Sequence, residues 1–193
     1  MNAQKLSVKL YLKDPASLHG VKLVPVFQSW IQLHAVEDHL AIDVADYEHV
    51  PDGPGTVLVT HEANFSLDAT DGRPGLQYQR KQPLPGTFEQ RLAAVIRYTL
   101  QGAARLEENP GLAFATGEIL VRIADRLLAP NNADTYAQVR TAIQQVGEQL
   151  FGAGNVTLEH HADPAKLFAV TIKSRNPVAP FELLNRLPSP LPA

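Results

Sequence analysis

The sequence predicts an α+β protein: an antiparallel-rich sheet with helices on one face. Three observations predict it. Several short stretches alternate apolar and polar residues, the period of a half-buried strand. Longer stretches repeat their apolar residues at three and four, the period of an amphipathic helix. The two kinds of segment follow one another as β-α-β-β near the start of the chain and again near its end.

Each element has its own justification. "KLSVKLYLKD" sets Leu6, Val8, Leu10 and Leu12 on one side and Ser7, Lys9, Tyr11 and Lys13 on the other, so it is a strand with one core face. "VPVFQSWIQLHA" has Phe27, Trp30, Ile31 and His34 at helical spacing, with Pro25 suited to a first helical position. "LAIDVADYEHV" returns to period two, with Leu40, Ile42 and Val44 inward and Asp46 next in phase. "PDGPG" is a turn. "VLVTHEANFSLD" reads as one strand, and its odd positions put Val57, Val59, His61, Phe65 and Leu67 on one face. "GLQYQRK" is a short partner strand.

The clearest helix is "TFEQRLAAVIRYTLQGAARLEE". Thr87 and Gln90 stand at capping-box spacing, and Phe88, Leu92, Val95, Ile96, Ala103 and Leu106 form its buried stripe. "GEILVRIADR" is a strand with Ile119, Val121 and Ile123 inward and Asp125 next in phase. A second long helix runs through Tyr136, Val139, Ile143, Val146 and Leu150, with Asp134 as its expected cap. "NVTLEHHAD" and "LFAVTIKSR" are strands joined by a short connection, and His160 continues the inward face of Val156 and Leu158. Leu6, Val8, Val57, Val59, Phe65, Ile119 and Val121 are expected to share one core.

This order resembles a ferredoxin-like plait that is extended or internally duplicated, a likeness of arrangement only. Residues 6–63 and 117–173 would be two similar halves of a single α+β domain covering residues 1–175. Residues 176–193 are set apart by composition, holding five of the chain's fifteen prolines. Within them Phe181, Leu184 and Leu187 recur at spacing three, which suits a short segment that docks a partner, or one that folds back over its own domain.

Composition excludes several classes. With 193 residues, 45% apolar and 19% charged, the chain is globular in balance. Its net charge is −3 and its densest basic run is Arg80-Lys81, so no nucleic-acid partner is expected. The absence of cysteine removes disulfides, thiolate metal sites and cysteine nucleophiles. The N-terminal stretch alternates rather than forming an apolar signal core, and no run approaches the roughly 20 apolar residues of a membrane span. A cytoplasmic location without membrane contact is the expectation. "GPGTVLV" lacks the lysine of a phosphate loop, so no nucleotide is expected.

The candidate chemistry lies where polar residues interrupt apolar faces. Asp46, His61, Asp125 and His160 each fall in phase with an inward face. If they met at one end of the sheet, a carboxylate would orient His61 as a general base, giving a catalytic set of His61, Asp46 and Asp125. The four together would suit a divalent metal, the one cofactor the sequence suggests. "HEANF" is not the zinc motif, because Phe65 occupies the place of its second histidine. "EDH", Glu37 to His39, reads as a solvated helix exit. The leading functional expectation is a non-catalytic binding and assembly protein that forms homo-oligomers and docks a protein partner through its tail. The alternatives are a small-molecule enzyme or metal-binding protein using the Asp/His cluster, and a small-ligand sensor.

Overall fold

The computed structural model describes residues 1–18, 21–109 and 111–189. The last four residues of the tail therefore lie outside the described residues. Eight strands form one sheet: β1 (Leu6–Leu12), β2 (Ala41–Tyr47), β3 (Gly55–Thr60), β4 (Ala63–Asp68), β5 (Gly75–Arg80), β6 (Phe114–Ile123), β7 (Val156–His160) and β8 (Phe168–Ser174). Four α-helices accompany them: α1 (Leu23–Gln32), α2 (Phe88–Leu106), α3 (Ala133–Phe151) and the short α4 (Pro180–Leu184). The strand order is β2-β3-β4-β5-β1-β6-β8-β7, and every pairing is antiparallel. No described helix is long and apolar enough to cross a membrane.

Register assigns the two faces, because directly opposed residues of an antiparallel pair point the same way. Val8 opposes Tyr78 and Val121, Phe65 opposes Tyr78 and Leu58, and Val121 opposes Val170. All belong to one buried cluster that also contains Phe27 and Trp30 of α1, Leu92 and Ile96 of α2, and Val139 and Ile143 of α3. The helices thus share one face of the sheet. Ser7, Lys9, Tyr11, Gln77, Gln79, Leu120 and Arg122 fall on the opposite, helix-free face.

The capping box forms as expected. Thr87 Oγ1 accepts from the Gln90 N–H at 3.2 Å, and Gln90 Oε1 accepts from the Thr87 N–H at 2.8 Å. On α3 the cap is Asn132 and not Asp134; its side-chain oxygen accepts from the Thr135 N–H at 2.9 Å. Pro25 is the third residue of α1, not the first.

The stretch read as a single strand is a hairpin. β3 ends at Thr60 and β4 begins at Ala63, with His61 and Glu62 as a two-residue turn. Thr60 closes it with its side chain, donating to the Ala63 carbonyl and accepting from the Ala63 N–H, both at 2.9 Å. A two-residue turn flips parity. Core positions are even in β3 (Thr56, Leu58, Thr60) and odd in β4 (Ala63, Phe65, Leu67). Val57 and Val59 therefore leave the expected core for the helix-free face, while Leu6, Val8, Phe65, Ile119 and Val121 keep their places in it. β2 carries a register shift between Ala41 and Asp43, which turns Ile42 outward and leaves Ala41 and Val44 against the core.

The two halves follow a common path but not a common pairing. From β1 the chain passes through α1 to the edge strand β2 and returns inward by β3, β4 and β5. From β6 it passes through α3 to the opposite edge, β7, and returns by β8. β8 pairs directly with β6, whereas β4 and β5 separate β3 from β1.

The tail is part of the core. Leu183 is fully buried and Leu187 is 5% exposed, both in the main cluster. Arg97 of α2 donates to the carbonyls of Leu184 and Leu187 at 3.1 and 3.3 Å, and Arg186 donates to the Leu150 carbonyl at 2.7 Å. Of the expected docking stripe, Leu187 faces inward, Leu184 is half-buried and Phe181 alone is well exposed, at 66%. A helix of barely more than one turn cannot present three residues at spacing three to one partner once Leu183 occupies the inner side. Replacing Leu183 with Ala should cost about 2–4 kcal/mol and lower the thermal midpoint by roughly 5–15 °C. A scanning calorimetry midpoint within about 2 °C of the parent, below the shift expected for 1 kcal/mol, would contradict this packing.

Candidate functional site

The structure does not assemble the Asp/His cluster. β2 and β7 are the two edges of the sheet, seven strand spacings and roughly 33 Å apart. Asp46 lies on β2 and His160 on β7. Strand directions also put Asp46 at the opposite end of the sheet from His61, Asp125 and His160. Each group has a local task or faces solvent. Asp46 Oδ1 accepts from the Glu48 N–H at 2.9 Å, and Asp125 Oδ1 accepts from the Leu128 N–H at 3.1 Å, so both shape turns. His61 is exposed at the turn, and its backbone N–H donates to the Leu40 carbonyl at 2.8 Å.

His160 serves a clamp. The Asn131 amide nitrogen donates to the carbonyls of His161, Asp163 and Leu167 at 2.8, 2.9 and 3.2 Å. Its amide oxygen must then accept, and it does so from His160 Nε2 at 2.8 Å. The His160 ring lies flat on Tyr136, with centroids 4.7 Å apart. Its pKa is lowered by burial and by the neighbouring His161. Among the described residues no group of three or more His, Asp or Glu side chains is placed to hold a metal ion.

A histidine that reads from the sequence as solvated is instead half-buried against the aromatic side of the core. His39 sits edge-on to Tyr98 at 4.6 Å and to Phe65 at 5.5 Å. Its Nδ1 donates to the Glu37 carbonyl at 2.7 Å, which leaves Nε2 to accept from the Tyr78 hydroxyl at 2.9 Å. Arg80 Nη1 donates to the same hydroxyl at 3.2 Å, and the Tyr98 hydroxyl donates to Asp38 Oδ2 at 3.3 Å. Burial lowers the His39 pKa, partly offset by its bond to Glu37. Burial raises the Tyr78 phenol strongly and pushes Tyr98 up to about 12. The network holds a neutral imidazole between neutral phenols. Asp38, at φ 58°, makes the left-handed turn that brings His39 inward, a backbone feature that aspartate tolerates better than most residues.

The helix-free face is different. Among the described residues four ion pairs lie on it: Lys9–Asp68 at 2.5 Å, Arg73–Glu118 at 2.8 Å, Lys173–Glu159 at 2.6 Å, and Arg122–Asp71. Lys9 is only 1% exposed, at the middle of a central strand, and also donates to the Thr70 carbonyl at 3.1 Å. Desolvation lowers its pKa even though Asp68 opposes the shift. Tyr11, Leu120 and Ala169 form a small buried apolar cluster separate from the main core. It floors a groove of about 570 Å³ walled by Ser7, Gln77, Gln79, Asp71, Arg122 and His161. A second groove of about 1020 Å³ opens at the end of the sheet where β1 stops and β6 starts. Arg73 lines both, with its guanidinium carbon 3.7 Å above the centre of the Tyr11 ring. Alternation in β1 marks Ser7, Lys9 and Tyr11 as a face apart. It does not show that the loop after β4 folds over them.

No protein-family model matches the chain, and neither curated proteins nor solved structures yield a match.

The shifts of His39, Tyr78 and Tyr98 set a pH window. A histidine whose folded pKa is depressed takes up a proton more readily when unfolded. Its contribution is complete above the ordinary value of 6.5 and is lost as pH falls below it. Tyrosines raised from 10.0 contribute fully below that value and lose their contribution as pH rises above it. Stability measured by urea denaturation should therefore plateau between these limits. His39→Gln should flatten the acid limb between pH 5 and 6.5, and His160→Gln should remove a smaller part of it. An acid limb of unchanged slope in His39→Gln would show that the imidazole is not held neutral.

Proposed function

We propose that the chain is a non-catalytic binding protein that takes a small ligand on the helix-free face of its sheet. The observation that carries this reading is the isolated apolar floor of Tyr11, Leu120 and Ala169 inside a polar-walled groove. Small-ligand sites are typically concave, apolar at the base and edged by a few polar groups, with volumes of roughly 300–1,000 Å³. The floor belongs to three adjacent central strands, β1, β6 and β8, whose main chains are fixed by pairing on both sides. Such a site is held rigid before any ligand arrives, which lowers the cost of binding. Partner docking through the tail is not part of this proposal, because Leu183 and Leu187 are committed to the core.

Titrating 15N-labelled protein with the uncharged aromatic alcohol 2-naphthylmethanol should move the amide resonances of Tyr11, Leu120 and Ala169 together. Leu120→Asp, which puts a charge on the floor, should abolish the response while preserving the fold. Shifts confined to other surfaces, or none at millimolar probe, would end the reading.

A second reading, self-association, rests on the outermost strand. Ile42 and Tyr47 of β2 and the flanking Leu40 and Val50 are exposed, with Ile42 58% exposed. An unpaired edge with apolar side chains is a template for a second copy. Ile42→Lys should convert any dimer seen by sedimentation velocity to monomer. A parent protein that sediments as a monomer at about 100 μM, where even weak specific pairs are populated, would remove it.

The common path of the two halves supports an internally duplicated, plait-like origin with β4 and β5 as additions to the first. Superposing the β2–β3 pair on the β7–β8 pair should bring α1 onto α3. Failure of the helices to superpose would remove this origin.

A further inference from the structure

We infer that the ligand of the helix-free face is a small organic anion: a flat apolar body on the Tyr11–Leu120–Ala169 floor, with a carboxylate or phosphate group directed towards Lys13 and Arg175. This rests on the groove being the binding site. The argument is one of charge. Lys13, Arg73, Arg122, Lys166, Lys173 and Arg175 line the two grooves, against only two carboxylates, Asp71 and Glu118. With Glu159 beside Lys173 counted as well, three positive charges in excess are gathered there, in a chain whose net charge is −3. A positive basin in an otherwise acidic protein concentrates anions and repels cations.

The cations are not equivalent. Arg73, Arg122 and Lys173 are already matched by Glu118, Asp71 and Glu159. Lys166, Lys13 and Arg175 make no ion pair with a described residue, and Lys166 lies in the β7–β8 connection, at the opposite end of the sheet from Lys13 and Arg175. Both are exposed side chains at the same end of the sheet, where β1 and β8 finish, and both line the larger groove. Arg73 stands between that basin and the apolar floor, stacked on Tyr11 and bound to Glu118. A guanidinium so placed has one planar face on the aromatic ring and keeps donors free at its edge for an anion. The floor and the free cations thus address two parts of one molecule. An aromatic or alicyclic body lies over Leu120 and Ala169 beside the Arg73-covered Tyr11 ring, and its acidic substituent reaches past Arg73.

Three probes of one ring system separate the possibilities: 2-naphthylmethanol, 2-naphthoate and 2-naphthyl phosphate. Their affinities are measured on the full chain by amide shifts at low salt and again at 0.5 M NaCl. The expected result is that both anions perturb Tyr11, Leu120 and Ala169, bind at least ten-fold more tightly than the alcohol, and lose that advantage in high salt. The double variant Lys13→Gln/Arg175→Gln should bring the anions down to the alcohol's affinity and leave the alcohol unchanged. Equal binding of the alcohol and the anions at the groove would overturn the anion assignment while leaving the groove as the site. An anion preference that survives the double variant would overturn the roles of Lys13 and Arg175. No response of the floor residues to any of the three would overturn both the inference and the binding reading beneath it.

Discussion

Lys9 places an ammonium at the centre of the sheet, where water scarcely reaches it. A buried cation needs a counter-charge close by, and leaving it unpaired costs several kcal/mol. Asp68, the last residue of β4, supplies it at 2.5 Å, and the Thr70 carbonyl accepts a second N–H. Those two partners lie at the end of β4 and in the connection that follows it, so satisfying Lys9 holds the start of that connection over the helix-free face. The remaining geometry follows. Asp71, in a left-handed conformation at φ 66°, meets Arg122, and Arg73 settles over Tyr11 and reaches Glu118. One buried charge thus organises the wall that divides the two grooves.

The constraint matters because the helices leave half of the sheet uncovered. An eight-stranded sheet has two faces, and α1, α2 and α3 all pack on one. The central strands must be shielded on the other face by side chains and connections alone. Strand β1 meets the problem with Lys9 and Tyr11, and its neighbour β6 with Leu120 and Arg122. The outcome is a surface that is neither core nor ordinary exterior. It is partly dry, strongly polar and rigidly held. On the helix side the same economy draws in the tail, whose Leu183 and Leu187 close the main core beside α2.

Much of this was legible in the sequence where local rules act alone. The alternation of Leu6, Val8 and Leu10, the stripe of α2 and the Thr87–Gln90 box all express periods or spacings that tertiary contacts do not override. The failures have particular causes. The β3–β4 turn carries no glycine, proline or asparagine, and Thr60 closes it through a side chain, so no turn signal interrupts the alternation. Val57 and Val59 are apolar although they lie opposite the core, which let His61 appear in phase with them. The shift at Ile42 turns Leu40 and Ile42 out of the expected inward set of β2 and leaves Val44 in it. His39 follows two acidic residues and reads as solvated, because a left-handed aspartate leaves no distinctive mark in sequence. The Asp/His cluster depended on strand adjacency, which periodicity cannot supply, and the order of the sheet separates β2 from β7 by six other strands.

What a polar side chain can do is limited by what its neighbours already require of it. His39 uses both ring nitrogens, one on the Glu37 carbonyl and the other on Tyr78. His160 gives Nε2 to an asparagine whose amide spans three carbonyls. Asp46 and Asp125 hold turns. These groups are conspicuous in sequence because they are polar within apolar patterns, yet that placement is what engages them in structure. Lys13 and Arg175 attract no notice in the sequence, since exposed cations at strand ends are ordinary. They gain their interest from position, lining the larger groove together with an arginine whose guanidinium lies over Tyr11. In the proposed site, the cations left for an anion are therefore ones that the fold does not already pair.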